Sequence, residues 1–205
     1  LILGTSMGCM QSFLWGETYP GFADALAPFA CMPIEIAGRN RMWRTMAMQS
    51  IRDDPAWDNG NYAKEPVEGL KGAADFLIIA GSAPQQMQKE FPMRQEAEDY
   101  VNKTVTRTVA HTDADDFLYY FDASRNYNPE PKLSTIQVPV LWINSEDDFI
   151  NPPQLKMAPE LAKRMPHARF VLVPASLKTF GHGTHTHAAV WKEYLVQLLV
   201  ESAKK

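Results

Sequence analysis

Only two cysteines, Cys9 and Cys31, occur in 205 residues, too few for a small fold stapled by disulfides. Both lie in apolar surroundings and are read as small core residues rather than as a bridge. Positive charge is not in excess either. Twenty Lys and Arg stand against 24 Asp and Glu, a net charge of -4, so no basic footprint for nucleic acid is present. No run of 18 apolar residues occurs, and no helical membrane span is expected. Internal repeats, low-complexity tracts and disordered linkers are also missing, which argues against a repeat array. What remains is 45% apolar, enough to bury a substantial core as one domain or part of one.

The most informative segment is Gly4-Thr5-Ser6-Met7-Gly8, directly behind the apolar run Leu1-Ile2-Leu3. A short strand entering G-x-S-x-G is the pattern of a nucleophile elbow, where serine sits on a strained strand-to-helix turn with its hydroxyl exposed. Glycines at both flanks are expected because the turn is too tight for side chains. Residues 9–15 read as the following helix. Its N-terminus, and the backbone N–H of Met7 in particular, would stabilise a developing oxyanion.

A serine of this kind needs a base and an acid, which alpha/beta-hydrolases place in the chain order Ser, acid, His at the ends of successive strands. Val138 to Ile143 is a buried-strand run that ends in Asn144-Ser145-Glu146-Asp147-Asp148. Any of the three carboxylates could orient an imidazole. A second strand run, Arg169 to Pro174, leads to Gly181-His182-Gly183-Thr184-His185-Thr186-His187, ahead of an amphipathic helix from Ala188 to about Ser202. A glycine-flanked histidine after the last strand is where a base belongs, since imidazole exchanges protons near neutrality. His182, His185 and His187 do not match a zinc spacing, and neither a metal nor a cofactor is expected. His185 and His187 are assigned to the start of the last helix or the rim of the site, and His111 and His167 to the surface.

From about residue 34 to 131 the chain turns helical and polar. Trp43, Met46, Ala47 and Ile51 fall on one helical face, with Arg41 and Arg44 flanking it. Leu70, Ala73, Ala74, Leu77 and Ile78 repeat the pattern, as do Ala97, Tyr100, Val101 and Val105. Most of these Met- and Trp-rich positions read as core, and some as lining for an acyl pocket.

The elbow, its continuation Met10-Gln11-Ser12-Phe13-Leu14-Trp15 and Tyr19-Pro20 resemble homoserine O-acetyltransferase and its alpha/beta-hydrolase relatives. So do Asn40-Arg41, Ala47-Met48, Ile51, Asp54-Pro55-Ala56-Trp57, Gly60-Asn61-Tyr62, residues 113–120 and Asp148-Phe149-Ile150-Asn151-Pro152. The resemblance implies an α/β architecture, the alpha/beta-hydrolase fold from the elbow strand onward, with residues 34–131 as a helical lid within a domain piece spanning 1–205. The family's acid stands four residues before a proline, which implies Asp148. Its base follows a glycine, which implies His182. The family's amino-acid-binding arginine, tyrosine and arginine correspond here to Ala74, Gly81 and Ser82, and Gly183 replaces an aspartate after the base. A substrate carboxylate held in a partly buried site calls for a matched cation, so homoserine is not the expected acceptor.

The resulting expectation is a serine hydrolase cleaving carboxylic esters through an acyl-enzyme, with Ser6, His182 and Asp148 as triad and a small-molecule ester as partner. The alternative is an acyl-CoA-dependent O-acyltransferase using the same three residues. Because the chain starts at Leu1, inside the elbow strand, an N-terminal hydrolase half on another chain or a homo-oligomer is expected to complete the sheet and the oxyanion hole.

Overall fold

The elements follow the hydrophobic pattern closely. In the computed structural model, which describes residues 1–203, the chain opens with β1 (Ile2–Thr5), α1 (Met7–Thr18) and β2 (Leu26–Phe29). Five helices follow: α2 (Gly38–Arg52), α3 (Val67–Gly81), α4 (Pro84–Glu90), α5 (Arg94–Ala110) and α6 (Ala114–Asp122). The chain then returns through β3 (Val140–Ser145), α7 (Ala158–Lys163), β4 (Ala168–Val173) and α8 (Ala188–Ser202). The last two residues of the expected 1–205 span lie outside the described residues. Two compact units result, Leu1–Glu35 with Tyr127–Lys205, and Ile36–Asn126.

The first unit holds a four-stranded sheet in the order β1-β2-β3-β4, parallel throughout. Parallel strands need both faces covered, and every residue of β2 and β3 is buried accordingly. Strand alternation decides which helix each residue meets. Leu141 and Ile143 join Ala27, Phe29, Val173 and Leu198 in a core packed by Trp191 and Leu195 of α8. Trp142 points the opposite way, edge-on to Phe13 of α1 at 5.7 Å and against Phe170 at 4.7 Å.

One expectation fails here. Cys9 and Cys31 form a disulfide. Both are fully buried, as core residues should be. The β1-α1-β2 crossover, however, sets the first turn of α1 beside the end of β2, with the two Cα atoms 5.9 Å apart, inside the bridging range.

The second unit contains helices and short turns. Its main buried stripe on α2 runs through Trp43, Arg44, Ala47, Met48 and Ile51. Met46, expected on that face, is exposed. Arg44 is the reason. Its guanidinium lies inside, donating to Asn40 Oδ1 at 2.9 Å and Ser124 Oγ at 3.2 Å and resting against the Trp43 and Phe121 rings, which swings the buried arc toward Met48. On α5 the expected face also fails. Val105 alone is buried, while Ala97 and Val101 are exposed and Tyr100 stacks on Phe91. On α3, Leu70, Ala73 and Ala74 are buried, and Leu77 and Ile78 partly so. Asp54 ties the start of α3 to the preceding turn, accepting from Ala56 N and Gly69 N, at 2.9 and 2.8 Å.

The elbow glycines are unequal. A Cβ on Gly4 would stand 2.0 Å from the Gly8 carbonyl oxygen and 2.6 Å from Ser12 Oγ, whereas a Cβ on Gly8 meets nothing within 4 Å. Only the first glycine is demanded by close approach, contrary to the expectation for both. Gly4→Ala is therefore expected to destabilise the protein by about 3 kcal/mol, because α1 would have to move off β1. Gly8→Ala should fall within about 0.5 kcal/mol of wild type. Urea midpoints of the two variants check this contrast.

Candidate active site

Each of the three singled-out side chains emerges at the C-terminal end of a strand, where open parallel sheets place their ligand sites. Ser6 follows β1 directly. Its backbone lies at positive φ, φ 54° with ψ −118°, conformational strain that a non-glycine residue adopts only when its surroundings enforce it. The enforcing contacts are the parallel ladder below it, Ser6 N–H donating to Phe29 O at 2.9 Å, and the start of α1 above. Ser6 occupies the helix N-cap position yet its side chain makes no capping bond. The hydroxyl is turned outward, 2.8 Å from His182 Nε2.

His182 lies in a short 3-10 turn, Gly181–Thr186, after β4. Gly181, with φ +57°, provides the left-handed step into that turn. The other ring nitrogen, Nδ1, is 2.9 Å from Asp148 Oδ2. Asp148 is 2% exposed. Burial pushes its carboxyl up, but the facing His182, the amide of Asn151 and the N–H of Ile150 outweigh it and hold the group below the ordinary 3.8. The structure thus brings Ser6, His182 and Asp148 into one hydrogen-bonded line. Met7 is the first residue of α1, so its backbone N–H has no partner within the helix.

The three carboxylates after β3 take three different partners. Glu146 accepts from Ala175 N at 2.9 Å. Asp147 accepts from Thr179 Oγ1 at 2.8 Å and Gly181 N at 3.2 Å, so it pins the loop that presents the histidine. Asp148 alone faces the imidazole. His185 is not in its place: its ring lies 5.3 Å from that of His182, and burial, with His182 next, lowers its pKa. His185 lines a small cavity with His182, Asp148 and Trp191. His187 immediately precedes α8 and packs on Phe180, and His111 and His167 are exposed. Among the described residues no three His, Cys, Asp or Glu side chains gather as a metal site requires.

Sequence reasoning missed Asn151. Its Nδ2 donates to Asp148 Oδ2 at 2.9 Å and to Ala30 O at 3.2 Å, and its N–H donates to Asp148 Oδ1 at 3.2 Å. Ala30, itself at φ +61°, aims that carbonyl from the end of β2. Asn151 thus fixes the Asp148 carboxylate with two hydrogen bonds. Asn151→Ala should lower kcat for ester turnover about 10-fold with KM little changed, the order expected from one lost hydrogen bond to a charged group. An unchanged kcat would leave Asn151 a purely structural role.

Comparison with known proteins agrees with this architecture. No family model matches the chain. The homoserine O-acetyltransferase of Chlorobaculum tepidum is 28% identical over 223 residues, covering 98% of this chain. That of Trichormus variabilis is 27% identical and covers 89%. By sequence the chain is similar to homoserine O-acetyltransferases, and it has the alpha/beta-hydrolase fold. The chain spans 61% of the length of the Chlorobaculum tepidum relative. Among solved structures, homoserine O-acetyltransferase from Bacillus anthracis superposes with a TM-score of 0.83 at 20% identity, covering 96% of this chain and 58% of that one. The acetyl esterase MekB superposes at 0.79 and 19% identity, covering 98% and 61%. In this chain Ala74 is buried in α3 and Gly81 is exposed at its end, two of the three positions where the resemblance leads one to look for arginine and tyrosine.

Proposed function

We propose that this chain carries the catalytic residues of a serine hydrolase acting on carboxylic esters. The observation that carries the reading is the continuous relay Ser6 Oγ, His182 Nε2, His182 Nδ1, Asp148 Oδ2, with steps of 2.8 and 2.9 Å. Ser6 Oγ attacks the ester carbonyl while His182 Nε2 takes its proton. Asp148, ionised and buried, holds the Nδ1 proton and stabilises the imidazolium. The oxyanion of the tetrahedral intermediate accepts from Met7 N–H. Collapse breaks the bond to the alkoxide, which leaves as alcohol with the proton from His182. Water then repeats the sequence on the acyl-enzyme and returns Ser6.

A second reading, acyl transfer from acyl-CoA to an alcohol, is favoured by the relatives' names. It shares the acyl-enzyme and differs only in what resolves it. Against homoserine as the acceptor stand Ala74, Gly81 and Ser82 in place of charged and aromatic groups. Loss of a charge-assisted contact weakens binding by roughly 10- to 150-fold. With p-nitrophenyl acetate and with acetyl-CoA plus homoserine, hydrolysis should exceed O-acetylhomoserine formation. The reverse order, measured by product mass, would establish the transferase.

A further inference from the structure

The Cys9–Cys31 bridge joins two segments that the relay needs in register. Cys9 is the third residue of α1, the helix that starts immediately behind Ser6. Cys31 follows Ala30, whose carbonyl accepts from Asn151 Nδ2 at 3.2 Å, and Asn151 in turn holds both oxygens of Asp148. The Cys31 carbonyl accepts from Trp142 Nε1 at 2.9 Å and from Asn144 Nδ2 at 3.1 Å, so β3, which leads into the acid loop, is tied to the same point. One sulfur therefore belongs to the turn that presents Ser6, and the other to the anchorage of Asp148. Backbone hydrogen bonds stop short of that connection. The β1–β2 ladder ends with Ser6 N–H donating to Phe29 O at 2.9 Å. Gly8, beside Cys9, offers no side chain to pack, and the space around it is open. The covalent bridge continues the tie from there.

We propose that the bridge is a positioning element for the reaction, clamping the turn that carries Ser6 to the strand end that anchors Asp148. A rigid imidazole spans Ser6 Oγ and Asp148 Oδ2 with bonds of 2.8 and 2.9 Å, so the separation of those two oxygens has one productive width. A drift of about 0.5 Å between the two segments lengthens one bond at the expense of the relay. Both cysteines are fully buried, which keeps dithiols in solution away from the sulfurs and suits a permanent brace rather than a shuttling thiol pair. They are also the chain's only two cysteines, so oxidation has a single intramolecular product. The kinetic consequence rests on the ester reading of the site; the clamp itself does not.

The test compares air-oxidised wild type, wild type reduced with dithiothreitol in mild urea and returned to buffer, and Cys9→Ala/Cys31→Ala. On reduction the disulfide takes two electrons and two protons from the dithiol, which closes to its own cyclic disulfide. Both sulfur atoms stay in place and only the link is lost. Oxidised wild type should take up no iodoacetamide in guanidinium, and reduced wild type one group per cysteine. Both unbridged forms should lose about 10-fold in kcat for p-nitrophenyl acetate with KM within about 2-fold, and reoxidation of the reduced form should restore kcat. Without substrate, amide exchange at Ile150 and Asn151, whose N–H groups donate to Asp148 at 2.8 and 3.2 Å, should quicken in the unbridged forms while α8 exchanges as before. Alkylation of the oxidised protein, an unchanged kcat in an active protein, or unchanged exchange at Ile150 and Asn151 overturns the proposal. So does exchange that quickens equally in α8, which is ordinary loss of stability. An oxidised wild type without ester turnover sinks the ester reading instead, and the exchange measurement then decides the clamp.

Discussion

Ser6→Ala is expected to lose on the order of 10⁴- to 10⁶-fold in ester kcat, the largest effect of any single substitution in this protein. Removing Oγ deletes the attacking atom and leaves only binding and the Met7 N–H to assist water. His182→Ala should cost about as much, because a serine without a base is a poor nucleophile. The double variant should be hardly worse than either single one, since residues that act as a unit are not additive. The folded state should survive, as Ser6 is only partly buried and makes no capping bond. Relief of its strained backbone by Ser6→Gly should even raise the thermal midpoint slightly. Comparable turnover in Ser6→Ala and wild type would place the chemistry elsewhere.

Asp148→Asn is expected to lower kcat about 10⁴-fold with the geometry largely retained. The neutral amide can present a donor to Nδ1, which favours the wrong imidazole tautomer, and it no longer balances the imidazolium. A stability signature accompanies the kinetic one. The folded-state pKa of Asp148 is depressed below 3.8, so its ionisation stabilises the fold above that value. This contribution is fully present above about 3.8 and disappears as the pH falls through the lower folded-state value. The thermal midpoint of wild type relative to Asp148→Asn should therefore be constant from pH 7 to 5 and decline below pH 4. A difference that grows on acidification would contradict the assignment of Asp148 as an ionised partner of His182.

Much of the sheet and the three candidate catalytic residues were legible in the sequence, because local signals carry them. A strand, two glycines and a helix start mark Ser6 within five residues, and apolar runs mark β3 and β4 to within two. The choice of Asp148 over Glu146 and Asp147 was different. Residue chemistry left all three open, and only the family resemblance pointed to one. The geometry explains why they are not equivalent: Glu146 and Asp147 are occupied by Ala175, Thr179 and Gly181. Asn151 was illegible as a positioning residue because half its role lies in the carbonyl of Ala30, 121 residues away. The Cys9–Cys31 bridge depends in the same way on the packing of α1 against β2. Arg44 misled the reading of α2, since a charge is normally counted on the wet side of a helix, and here hydrogen bonds and two aromatic rings accommodate it inside. The α5 pattern had the right period, but the helix packs chiefly on α3, which buries only part of that face.

Every kinetic expectation above rests on the assignment of Ser6 as a nucleophile activated by His182 and Asp148. Its most direct measurement is reaction of the protein with a fluorophosphonate, followed by proteolysis and mass spectrometry of the adduct. A single adduct is expected on the peptide containing Ser6, with labelling lost in Ser6→Ala and strongly slowed in His182→Ala. An adduct on another residue, or equal labelling of wild type and Ser6→Ala, would contradict it.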